Sequence, residues 1–276
     1  ISGQKFENLH SSSIKTALKL SSEQKEESID GYFYNYQIER HINALGQNHD
    51  VFRELNLDNR SMNLDIYYLI EKLRLYCQLL TVKFQKNTEE DILLMKPIIK
   101  HIENHDFTGV PQLNIYHQIF NSIREKDNTQ YYFKLRELLK EHGGRFNKSE
   151  ASDMYNFAIN YIVFKINSGH ENFLAEYFSL YEDLLNKKVI FENNELPTKH
   201  YFNVITIALR LNKFEWVANF IKTYGEFINS LEKENAITYT LAQLNFYRKD
   251  FNKVLELLRF VEYKELSRKL NSKVML

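Results

Sequence analysis

The chain has 276 residues, enough for one large or two small domains, and its 43% hydrophobic content can fill a core. Eight glycines and three prolines are few for that length, which argues against turn-rich sandwiches and glycine-punctuated parallel α/β folds and leaves a mainly helical chain. Lys plus Arg and Asp plus Glu both number 36, and the resulting zero net charge counts against a non-specific nucleic-acid binder.

Residues 1–21 are polar and serine-rich, with a short helix expected at Ile14–Leu20. A helix from about Ser22 to Leu45 follows, with Gly46 as its C-cap, and its Tyr32–Tyr36 segment is expected to pack. One further short helix is expected between Asn48 and Asn59. Cys77, the only cysteine, lies in the apolar run LRLYCQLL and reads as a buried structural thiol; no internal disulfide is possible. Aromatics reach 14% of the chain, read as bulky filling for helix–helix seams rather than a stacking platform. No run approaches the roughly 18 consecutive apolar residues of a membrane span, so no membrane insertion and a cytoplasmic location are expected. The chain starts at Ile1 and stops at SRKLNSKVML, which suggests a piece of a longer protein.

From Asn63 onward the pattern repeats. Leu79, Phe120, Tyr161, Phe202 and Tyr239 stand 41, 41, 41 and 37 residues apart, and Val82, Ile123, Phe164, Ile205 and Ala242 follow each by three. A three-residue step stays on one helical face, so each pair marks an A helix. The polar breaks KNTEED, EKDNTQ, NSGHEN, Asn212–Lys213 and RKD come next, and Ile92, Phe133, Phe173, Phe214 and Phe251 restart the apolar pattern. Ile99, Leu139, Leu180, Ile221 and Leu258 stand about seven residues further on and mark the B helices. Thr88 and Thr129 suit N-caps, with Asp91 an imperfect capping-box partner of Thr88. Gly143–Gly144 can end a helix through positive φ. Pro111 and Pro197 sit near helix starts, whereas Pro97 should kink or divide the first B helix. Each hairpin leaves apolar faces that only stacking can cover. Phe251 is expected to wedge against its A partner, and its truncation to cost about 3–5 kcal/mol if a cavity remains.

Leu241–Ala242, Asp250–Phe251 and Val254 fall where the tetratricopeptide repeat wants a large–small pair, an Asp–aromatic turn and a small residue in its second helix. His200–Ile221 looks like the preceding unit, with Phe214 at the turn and Val217–Ala218 near the small-residue site. The chain thus resembles the tetratricopeptide-repeat superfamily, with units of 37 to 41 residues where 34 is usual for that repeat. The resemblance implies an all-α fold: a right-handed α-α superhelix, a solenoid of antiparallel helix hairpins. It would span 63–276 as about five hairpins behind an N-terminal helical or irregular cap at 1–62.

His101 and His105 stand at i, i+4, but Ile102 occupies the place of a zincin's glutamate, so a polar helix face is preferred to a metal site. No GxxxxGK, GxGxxG or GxSxG pattern occurs, and pairs such as Glu26–Glu27 and Glu89–Glu90 read as solvated surface. A non-enzymatic scaffold without cofactor or metal is the expectation. The resemblance implies a concave groove, lined by A helices, for a partner protein or peptide. Its candidate residues are Asn156, Asn160, Asn203, Arg210 and Gln243, whose amide and guanidinium groups can pair with a peptide backbone or carboxylate. A pentatricopeptide-like RNA binder and a sensor or regulatory module of a longer protein are the alternatives; zero net charge and irregular unit length count against the first.

Overall fold

The computed structural model describes residues 12–20, 28–46, 57–86 and 92–261. The proposed N-cap Thr88 with Asp91, most of the helix sought between 48 and 59, and the terminal Ser267–Leu276 lie outside that range. The described chain is all-helical: α1 (12–20), α2 (Ile29–Gly46), α3 (Leu57–Lys86), α4 (Met95–Asn104), α5 (Pro111–Arg124), α6 (Thr129–His142), α7 (Lys148–Asn167), α8 (Phe173–Asn186), α9 (Thr198–Arg210), α10 (Phe214–Tyr224), α11 (Lys233–Tyr247) and α12 (Phe251–Leu258). A 3₁₀ turn at Gly225–Phe227 follows α10. The odd-numbered helices from α3 carry the A columns and the even-numbered ones from α4 the B columns, except Ile92, which precedes α4; the breaks EKDNTQ, NSGHEN, Asn212–Lys213 and RKD coincide with the joins between helices, with Thr129, Gln130 and Asn167 already in the helix ends. No helix among the described residues is long and apolar enough to cross a membrane.

The chain divides into two compact units, Ile1–Tyr161 and Ile162–Leu276. Residues 62 and 63, between which cap and repeats were expected to divide, both lie inside the continuous α3.

In the first unit α3 packs on α2 and α5, and α5 packs on α6. The buried stripe of α3 runs through Ile66, Leu69, Ile70, Leu73, Tyr76 and Cys77, a helical period of three and four. Leu79 and Val82 fall beside that stripe and are each 44% exposed, so the first row of both A columns is a surface feature and not a seam. Phe120 and Tyr161, in the next rows, are buried. The Cys77 thiol is fully buried 3.8 Å from the Tyr116 carbonyl, and burial pushes its pKa up, as an inert structural thiol requires. Of the Tyr32–Tyr36 segment, Phe33 packs on Tyr67 at 5.1 Å while Tyr34 is exposed. Arg74 of α3 pairs with Asp153 of α7 at 2.8 Å, and Tyr132 of α6 stacks on Tyr161 at 4.9 Å.

Three local features differ from what the sequence pattern predicts. α4 begins at Met95 rather than Ile92, after Leu94 at φ 63°, which places Pro97 in the first turn. The missing N–H has no intrahelical partner there in any case, so the proline needs no kink. Asn128, not Thr129, caps α6, accepting from the Gln130 N–H at 3.2 Å. Gly143 follows α6 with φ −57°, so no left-handed residue ends that helix. Its lack of a side chain serves packing instead, since a Cβ would lie 2.9 Å from the Tyr155 hydroxyl, which donates to the Leu139 carbonyl.

In the second unit α9 packs on α8, α10 and α11, and α11 packs on α12. Tyr201 is buried among α9, α10 and α11: its ring lies 5.5 Å from Phe220, and its hydroxyl is 3.4 Å from the Thr240 hydroxyl. Tyr239, Ala242, Val254, Leu258 and Val261 form a buried cluster between α11 and α12. Leu180, Ile221 and Leu258 are buried here, as Ile99 and Leu139 are in the first unit, so the second B column is core throughout.

The openers of the B helices behave otherwise. Phe173 is buried and Phe214 half-buried, but Phe133 is 45% and Phe251 52% exposed. Phe251 sits beyond the last turn of α11, and its ring contact among the described residues is an edge-to-face one with Phe246, at 6.0 Å. The expected wedge is therefore not present, and Val254 and Leu258 hold that seam.

Helices α7, α8, α9 and α11 end in one motif. Gly169, Lys188, Asn212 and Lys249 have φ of 89°, 53°, 56° and 64°. Each donates its N–H to a carbonyl three back, and the following residue donates to one five earlier, as Asp250 does to Asn245 at 2.9 Å. This is the Schellman closure, in which a left-handed residue lets two orphan carbonyls be satisfied. Asp250 then caps α12 by accepting from the Lys253 N–H. Only Gly169 adopts that φ without steric cost. Replacing Lys249 by glycine is expected to stabilise the second unit by about 0.5–1 kcal/mol, raising its melting temperature by about 2–4 °C. Thermal unfolding followed by circular dichroism checks this; an unchanged or lowered midpoint contradicts it.

Candidate functional site

The residues singled out for a groove divide between the units. Asn156 and Asn160 are exposed on α7 within the first unit, one turn apart. Asn203 and Arg210 on α9 and Gln243 on α11 belong to the second unit, where α9 and α11 pack together. Asn203 is half-buried and donates to the Tyr181 hydroxyl at 3.1 Å, a link between α9 and α8. That hydroxyl also lies 3.3 Å from His200 Nδ1, and burial lowers the His200 pKa, favouring the neutral ring there. Exposed Arg210 pairs with Glu171 at 3.5 Å, and the Gln243 carbonyl oxygen is buried with no hydrogen-bond partner among the described residues. Asn203 thus has a structural partner already, while Asn156 and Asn160 remain open to solvent.

His101 and His105 are exposed with rings 4.1 Å apart, and His105 Nδ1 lies 2.8 Å from the His101 carbonyl. Among the described residues no group of three or more His, Cys, Asp or Glu is placed to hold a metal ion.

A concavity lined by aromatic and polar side chains lies elsewhere in the second unit, between the B helices α8 and α10. It is a pocket of about 400 Å³, within the usual range for small ligand sites. One wall is an aromatic ladder at i, i+4, i+8 on α10: Trp216 stacks on Phe220 at 4.9 Å and Phe220 on Tyr224 at 4.7 Å. That spacing brings residues onto one helical face, and α10 has no glycine or proline to interrupt it. Phe178 of α8 meets Trp216 edge-on at 4.8 Å and fixes the upper ring. Buried Leu185 contributes from α8, and Glu182, Asn186, Asn219 and Thr223 supply the polar lining. None of these four side chains has a hydrogen-bond or ion-pair partner among the described residues. The single tryptophan of the chain, at i, i+4, i+8 with Phe220 and Tyr224, was the sequence signal for this site. It lies on a B helix, outside the A-helix groove that the tetratricopeptide resemblance implies.

Comparison with family models, curated proteins and solved structures finds no match to this chain.

Proposed function

We propose that this chain is a non-enzymatic protein-interaction scaffold: a solenoid of tetratricopeptide-like hairpins, wound as a right-handed superhelix, that holds a peptide or a segment of a partner protein. The observation that carries the reading is the α8–α10 pocket, an aromatic and aliphatic cavity whose polar lining residues Glu182, Asn186, Asn219 and Thr223 have no hydrogen-bond or ion-pair partner among the described residues. Ligand sites combine an apolar body with a few convergent polar groups in this way. The repeated hairpin turns at Asn212 and Lys249 support the solenoid part of the proposal, because the same closure recurs in consecutive units. The exposed amides Asn156 and Asn160 offer backbone-pairing groups on α7.

The test is selection of a random-peptide display library on the whole chain, followed by titration of the enriched peptides. A shared consensus binding with micromolar affinity, about −8 kcal/mol, is expected. Affinity should fall about tenfold or more in Trp216→Ala, whose ring lines the pocket. Failure to enrich any peptide over an unrelated helical protein overturns the scaffold reading. Tight, salt-sensitive retention of RNA in an electrophoretic shift assay would favour the pentatricopeptide-like alternative in its place.

A further inference from the structure

We infer that the α8–α10 pocket is a receptor for an arginine side chain presented by the partner, with Glu182 as its counter-charge. The inference rests on the scaffold reading and names the group that its pocket selects.

Three observations converge. Glu182 is the one ionisable carboxylate lining the pocket, and it is half-buried without an ion-pair or hydrogen-bond partner among the described residues. Its neighbour Asp183 pairs with Lys187, the residue that follows α8, at 3.1 Å, so that cation is already engaged. An uncompensated carboxylate in a partly desolvated setting attracts a cation more strongly than one in free water. The second observation is aromatic. Trp216 is half-buried against Phe178, and the face of Phe178 is already covered by the Lys213 ammonium at 4.8 Å from the ring centroid. The same ring cluster therefore holds one cation from within the chain, by the attraction between positive charge and the ring quadrupole.

The third is the shape of the polar lining. Asn186 and Asn219 are exposed amides, one on each helix beside the pocket, and Thr223 adds a hydroxyl. A guanidinium presents five donors in one plane, matches a carboxylate with two parallel bonds and leaves donors for amide carbonyls. Its weak hydration and flat faces suit aromatic walls better than a compact, strongly hydrated ammonium does. Its methylene stem has Leu185 and Phe220, both buried, to lie against.

Trp216 is the only tryptophan, so its emission reports on this pocket alone. The experiment titrates the whole chain with N-acetyl-arginine amide and with N-acetyl-citrulline amide, a neutral analogue of nearly the same shape. Arginine amide is expected to change Trp216 emission saturably with a dissociation constant in the millimolar range, about −4 kcal/mol. The citrulline analogue should bind about tenfold more weakly, and Glu182→Gln should weaken arginine by a similar factor with unchanged circular dichroism. Equal responses to arginine and citrulline, a linear response like that of free tryptophan amide, no response, or full retention in Glu182→Gln each overturns the inference. The citrulline comparison uses the unaltered protein, so it decides the matter even if the variant misfolds. Should library peptides bind while arginine amide leaves Trp216 unmoved, the arginine receptor fails and the scaffold reading stands. Failure of both peptides and arginine ends the two together.

Discussion

Tyr201→Ala is expected to destabilise the second unit by about 3–5 kcal/mol, the cost of removing a fully buried aromatic and leaving a cavity. Three helices share the loss. The ring touches Phe202 and Phe220, at 5.9 and 5.5 Å, and the hydroxyl approaches Thr240 on α11. Tyr201→Phe should cost only about 0.5–1.5 kcal/mol, because the Thr240 hydroxyl still donates to the Ala236 carbonyl at 2.9 Å. Phe251→Ala is the contrasting case. The sequence pattern assigns it the same 3–5 kcal/mol, but a ring more than half exposed leaves little cavity, and about 1 kcal/mol or less is expected. Urea unfolding read from Trp216 emission follows this unit specifically, as α10 packs on α9 and α11. Comparable losses for Tyr201→Ala and Phe251→Ala would contradict the account.

The second large effect is one of pH. Glu150 lies in the first turn of α7, where Asn147 and Glu150 bond reciprocally: the Glu150 N–H donates to Asn147 Oδ1, and Asn147 Nδ2 donates to Glu150 Oε2. Its other oxygen accepts from the Ile29 N–H at 3.2 Å, tying the start of α2 to α7 across 121 residues of sequence. Burial raises its pKa from 4.5 to about 7; the Ile29 hydrogen bond and the Arg74 charge pull it down, while Asp30 and Glu71 push it further up. Between pH 4.5 and about 7 the folded state therefore holds a proton that the unfolded state has released, and stability falls as pH rises through that window. The contribution is fully present below about 4.5 and lost above about 7, a change of about 2–3 kcal/mol. Glu150→Gln keeps an oxygen for the Ile29 N–H and cannot ionise. The variant should lack this part of the slope and be at least as stable as the unaltered chain at pH 8. Urea unfolding of both proteins at pH 5 and pH 8 measures the difference; parallel pH dependences would refute it.

Glu150 shows where reading along the chain stops. Nothing in KSEAS marks it apart from other acidic residues in a first helical turn, which ordinarily stay ionised near a helix N-terminus. Its character comes from Ile29, Arg74, Asp30 and Glu71, groups supplied by other helices. The arginine-receptor pocket has the same origin. The i, i+4, i+8 ladder on α10 is written in consecutive residues, but the placing of Glu182 and Asn186 beside it needs α8 and α10 side by side. The candidate groove residues were legible as polar positions on A helices, yet the bond from Asn203 to Tyr181 could not be read without the packing of α9 on α8.

Sequence alone determined the helical class, the hairpin breaks and the buried second B column, Ile99, Leu139, Leu180, Ile221 and Leu258. Helical periodicity and the scarcity of glycine and proline act within a few residues and leave their mark on consecutive side chains. Tertiary structure alone decided that Leu79, Val82 and Phe251 face solvent, that Asn212 and Lys249 close helices in a left-handed conformation, and that Glu150 is buried. An apolar residue is buried only if another helix extends far enough to cover it, and a carboxyl is desolvated only if distant segments enclose it. Both conditions depend on how the helices pack, which local periodicity does not encode.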